Sequence, residues 1–190
     1  MRKAVIMLFG AVVLSGCSLN NMVPVEVCPD IREIKPPAGK AVLVIAQTMN
    51  EENYDFEDNP DVDNYLDRKF IGKLKNSSFF ITAVEPGRHF VIADSEGYET
   101  ILLDFRAGRT YYLEQEERMG YALPRTNYVL VKADHLYNDL KGKCTCYEPD
   151  LQNPGRDLDE ETFAEVLAAH KKKMGDTPAN ESEPGVNPWQ

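Results

Sequence analysis

Histidine, tryptophan, basic residues and long apolar runs are all scarce in this chain of 190 residues, which has three histidines and one tryptophan. Each scarcity removes a class of function. His89, His135 and His170 are scattered, on an expected strand, an irregular segment and a helix C-terminus. None has a second donor at metal-ligand spacing, and the helix dipole accounts for His170. No Gly-x-Ser-x-Gly elbow, His-Glu-x-x-His pair or phosphate-binding loop occurs, so hydrolase, zinc-protease and nucleotide signatures are missing. No apolar stretch reaches the about 20 residues that a membrane-spanning helix needs. Bases number 21 against 31 acids, a net charge of −10. Such a polyanion repels nucleic acid and anionic headgroups, so neither is an expected partner.

What is present begins at the first residue. Met1-Arg2-Lys3 is a short cationic start, and Ala4 to Leu14 is an unbroken apolar run of leader length. Leu14-Ser15-Gly16-Cys17 follows directly. This order resembles the lipobox of bacterial lipoproteins. The resemblance implies cleavage before Cys17, a diacylglycerol on its thiol and an acyl group such as palmitate on its new amine. Several chains are needed because one acyl chain binds membranes only marginally. Ser18, where an aspartate would favour inner-membrane retention, implies by the same resemblance the outer membrane, facing the periplasm. Removing residues 1–16 leaves 174 residues with 19 bases against 31 acids, a charge near −12. The bilayer is therefore a partner through acylated Cys17, not through a basic patch.

The expected organisation is a leader at 1–16, a lipidated tether at 17–37, a β-domain at 38–148, and a C-terminal helix with a flexible tail at 149–190. Pro24, Pro29, Pro36 and Pro37 give the tether its extended character. Cys28, Cys144 and Cys146 remain once Cys17 carries lipid, an odd number in an oxidising compartment. A disulfide from Cys28 to either Cys144 or Cys146 ranks first and inert thiols second. Metal ranks third, because Cys144-Thr145-Cys146 lacks the C-x₂₋₄-C spacing of structural zinc.

Ala41 to Ala46 is a β-branched run suited to a buried strand. Strands are further expected around Asn64–Leu66, Lys69–Leu74, Phe79–Val84, Arg88–Ala93, Tyr98–Phe105, Thr110–Glu114 and Tyr128–Val131. Turns at Asp67-Arg68, Asn76-Ser77, Pro86-Gly87, Glu96-Gly97 and Ala107-Gly108 separate them. This spacing predicts a mainly β fold, a small antiparallel β-sandwich. Tyr111 and Tyr112 should point to opposite faces, one to the core and one to solvent. From Leu158 the period becomes helical, with Asp157 or Asp159 as cap and Phe163, Val166 and Leu167 on the apolar face. Beyond Gly175 a Pro- and Asn-rich disordered tail is expected.

The acidic stretch at 50–63 reads first as a solvated loop. Its alternative is a calcium site from Asp58, Asp61 and Asp63, with Asp67 in reach, although the EF-hand order is missing. No cofactor is otherwise implied.

The series Lys69-Phe70-Ile71-Gly72-Lys73-Leu74, Ser78-Phe79-Phe80 and Val84-Glu85-Pro86-Gly87-Arg88-His89 resembles the lipoprotein-associated domain of unknown function 2846. Phe105-Arg106-Ala107-Gly108-Arg109-Thr110-Tyr111-Tyr112 resembles a further strand of that family. The likeness spans about residues 38–116 and shares features with PEGA-type sandwiches. It implies a β-sandwich in the cell envelope and carries no catalytic residues. The acidic insert and residues 117–190 depart from it. Together these readings favour a non-catalytic module for an envelope protein or glycan, with an envelope enzyme or enzyme accessory, calcium-dependent in one version, as the alternative.

Overall fold

A computed structural model describes residues 20–48, 61–118, 125–142 and 144–182. Ten strands form two sheets among them: β1 (Met22–Pro24), β2 (Ala41–Gln47), β3 (Val62–Leu66), β4 (Lys69–Leu74), β5 (Ser78–Val84), β6 (Gly87–Asp94), β7 (Tyr98–Phe105), β8 (Thr110–Arg118), β9 (Arg125–Leu130) and β10 (Thr145–Pro149). The helices are α1 (Ala133–Leu140), α2 (Glu160–Met174) and the short α3 (Ala179–Ser182). One sheet runs β1-β10-β5-β2-β8-β9 and the other β4-β3-β6-β7. The protein is a mainly β sandwich. Most pairings are antiparallel, but β2 pairs β8 in parallel and β10 pairs β5 in parallel.

Period-two alternation decides which side chains meet between the sheets. Leu43, Ile45, Phe80, Tyr111 and Leu113 of the six-stranded sheet face Val91, Leu103 and Phe105 of the other. Each such buried side chain contributes roughly 1.5–3 kcal/mol. The turn at Glu85-Pro86 does not return the chain within one sheet. It carries β5 of the six-stranded sheet into β6 of the four-stranded one, and Gly87 enters at a φ of +135° that disfavours any side chain.

The six-stranded sheet is covered on both faces. Val42, Val44, Phe79 and Tyr112 turn away from the opposite sheet and are buried under Ile31, Leu136 and Leu140. Both tyrosines are therefore core, and the expectation that one faces solvent is corrected. The Tyr112 hydroxyl donates to the Ile31 carbonyl at 2.9 Å. The covering layer is α1 with a 3-10 turn at Ile31–Glu33, which Asp30 caps through the Arg32 amide. The Arg32 guanidinium lies 3.5 Å above the Tyr137 ring and joins the two. Residues 22–34, read as tether, are thus part of the folded body, with Met22 buried and β1 paired antiparallel to β10.

At the other end, Asp159 caps α2 by accepting from the Thr162 amide at 2.8 Å. Asp157 instead accepts from the Phe70 amide at 2.9 Å, fixing the preceding segment to β4. Beyond Gly175 the chain packs on as far as α3, where a disordered tail was expected. Asn180 accepts from the Asp104 amide and donates to the Asp104 carbonyl, acting as a false neighbour for the edge strand β7. Residues 183–190 lie outside the described residues.

Candidate functional site

The edge strands β7 and β9 come from different sheets and meet at one side of the sandwich. Helices α2 and α3 roof the junction, leaving a groove of about 650 Å³. Its wall sets apolar Ile101, Leu130, Val166 and Ala179 beside polar Thr100, Asn127 and Glu165. Glu99 and Lys173 pair at 3.1 Å on its border, and Tyr98 and Met174 are its exposed large side chains.

His170 is a buried titratable group of this wall. It is buried, although α2 ends only one turn later, so the helix dipole does not by itself account for it. Its Nδ1 lies 2.7 Å from the Thr100 hydroxyl, and its ring meets Phe90 edge-on at 5.0 Å. Nε2 is buried without a partner among the described residues. Burial, opposed by Asp176 and helped by Lys173, lowers the imidazole pKa and favours the neutral ring. A hydroxyl beside an imidazole is the start of a nucleophile–base pair. Such a pair needs a third group to orient the base, and none contacts Nε2.

The three later cysteines converge, although 118 positions separate Cys28 from Cys146. Cys28 Sγ accepts from the Cys146 amide at 3.1 Å, and its thiol is hydrogen-bonded to those of both Cys144 and Cys146. All three are free thiols. Burial pushes the Cys146 thiol up to about 12 and raises that of Cys144, the neighbouring sulfurs adding to both shifts.

Cys17 and Asp58 lie outside the described residues. Asp61 and Asp63 sit beside cations of the protein itself. The Lys73 ammonium is 3.1 Å from Asp63, and Lys73 and Lys75 both act on the Asp61 carboxyl, whose pKa burial nevertheless raises. Asp63 also stands directly across from Asp94, which burial and Asp63 hold above the usual carboxylate range. Asp67 is committed to the fold. It forms the β3–β4 turn at a φ of +54°, accepts from the Phe90 amide at 3.0 Å and meets His89 Nδ1 at 2.8 Å.

His135 is the residue whose surroundings sequence reasoning missed. It lies on α1, not on irregular chain, beside Asp139 of the same helix and Glu114 of β8. The spacing His135-x₃-Asp139 carried the signal once that segment is read as a helix. No family model, no curated protein and no solved structure matches this chain. The functional reading therefore rests on its residues and their geometry.

Proposed function

We propose that this chain is a lipid-anchored envelope protein whose β-sandwich is a non-catalytic binding module, holding a protein or glycan partner in the groove between β7, β9 and α2. The groove carries the reading. It sets apolar wall beside polar and charged side chains at the junction of two sheets, a concave site where shape and a few polar groups can select a partner. The leader and Cys17 support its place in the envelope, as does the resemblance to domain 2846. Among the described residues no helix is long and apolar enough to cross a membrane. The second reading, an envelope enzyme, draws on the Thr100–His170 pair, which has no orienting group on Nε2 among the described residues.

Photocrosslinking in intact cells tests the first reading. A photoreactive residue at Tyr98 or Met174, on the groove, should give one discrete adduct. Val27 and Leu151, exposed outside the groove lining, should not give it. The same adduct from all four positions, or none from Tyr98 and Met174, removes the groove from the argument.

A further inference from the structure

We propose that Glu114, His135 and Asp139 form a site for a divalent transition-metal ion of the zinc type. The strand and the helix supply the ligands in complementary ways. Alternation along β8 puts Glu114 on the same face as Tyr112, the face that α1 covers. On α1, His135 and Asp139 are one turn apart and project together toward that strand. His135 Nε2 lies 3.1 Å from Glu114 Oε2 and 3.5 Å from Asp139 Oδ2. One donor atom from each residue falls within 4.8 Å of the other two.

These spacings suit an ion already. Zinc holds nitrogen and carboxylate oxygen at about 2.0–2.1 Å in a tetrahedron, whose edges are then about 3.3–3.4 Å. The two distances from Nε2 fall on either side of that edge. Glu114 is buried, whereas His135 and Asp139 are exposed, so the fourth corner opens to solvent and a water ligand. The other Glu114 oxygen accepts from the Thr48 hydroxyl, an outer contact that orients the carboxylate.

Charge points the same way. Glu114 is nearly out of water, where a paired cation is one of the ways a carboxylate is stabilised. Its one ion-pair partner among the described residues is His135, which is charged only when protonated. Asp139 adds a second negative charge to the same imidazole. With a neutral ring the cluster holds two carboxylates and no cation, and a bound dication balances it. The competing arrangement is an imidazolium bridging both acids, which has the same distances and binds no metal.

The test uses the full chain without a polyhistidine tag, titrated with cobalt(II) and zinc(II) near neutral pH. Cobalt should give the visible bands of tetrahedral nitrogen and oxygen ligation without a thiolate-to-cobalt charge-transfer band, and zinc should displace it. His135→Ala and Glu114→Gln should each weaken binding by roughly tenfold or more. Asp139→Asn, on the exposed side, provides a variant that leaves the buried carboxylate in place and should weaken binding too. Far-ultraviolet circular dichroism without metal checks that each variant is folded. Binding unchanged in all three folded variants overturns the site, as does no binding by the wild type. A thiolate charge-transfer band that persists in the variants assigns the metal to Cys28, Cys144 and Cys146 instead, and also overturns it.

Discussion

Gly72 marks a point where a missing side chain lets the two sheets approach. It lies on β4, and a Cβ built there would sit 2.8 Å from the ring of Phe80, a fully buried residue of the opposite sheet. The ring is enclosed on all sides, so it cannot swing away as a surface side chain would. Gly72→Ala should therefore destabilise the protein by about 1–3 kcal/mol, the usual range for overpacking. Urea unfolding should show a lower midpoint at unchanged slope. Steric origin makes a further demand: Phe80→Leu in the same chain should recover part of the loss, giving a coupling that two independent sites would not show. Additive losses would mean that the glycine acts through backbone freedom and not through the ring. Tyr112 and His170 illustrate burial that cannot be read from a residue and its neighbours. Each is covered by a segment remote in sequence, the Ile31 turn for one and β7 for the other.

The elements themselves were largely legible, because period-two runs stand between turn residues. Asp67 and Ser77 take up positive φ at two of the turns read from sequence, and β3 to β8 follow the runs read from them. Less legible were the parallel pairings of β2 with β8 and β5 with β10. Register between distant strands depends on the opposing sheet and leaves no local pattern. One trace existed: Ala41 to Ala46 is continuously apolar, as a strand covered on both faces should be, and every residue of β2 is buried. Helix α1 escaped because it has eight residues, no side-chain cap and weak helix formers such as His135 and Asn138. Of the candidate sites, the cysteines were read from sequence as a disulfide partner set and lie together as free thiols, whereas the groove and the Glu114 cluster depend on those unread long-range contacts. The place of β10 in the sheet bears on the disulfide. It sets Cys146 against Cys28 and leaves Cys144 within reach of the same sulfur. Extended chain rises about 3.3 Å per residue, so cysteines two positions apart in such chain, as Cys144 and Cys146 are in sequence, have Cα atoms roughly 6.6 Å apart, near the outer limit for bonding to each other. Oxidation with a glutathione redox pair, alkylation and peptide mapping should find Cys28 in every intrachain disulfide. Closing so long a loop is worth about 4–5 kcal/mol in the chain-entropy model, so reduction should also lower Tm. A Cys144–Cys146 bridge as the main product, or no intrachain bridge at all, would contradict this packing.

For the whole molecule, incorporation of residues 22–34 into the fold shortens the tether that the leader implied. The first strand starts at Met22, five positions after Cys17, which extended chain spans in no more than about 18 Å. Under the lipid-anchor proposal the body lies close to the bilayer, not some twenty residues above it. That proximity gains nothing from charge, since 31 acids against the 19 bases left after residues 1–16 repel anionic headgroups. Attachment then depends on the acyl chains alone, and this separates it from electrostatic adhesion. Cells fed an alkyne analogue of palmitate should label the wild-type chain and not Cys17→Ser. High salt should leave the wild type in the membrane fraction, because screening removes only ionic contacts. A chain with residues 1–17 exchanged for an ordinary cleavable secretory leader should move to the soluble envelope fraction. The exchange matters because Cys17→Ser retains an uncut apolar leader that can hold the protein to the membrane by itself. If the leader-exchanged chain stays with the membrane, or the wild type takes up no label, the anchor lies elsewhere in the molecule and Cys17 is not its origin.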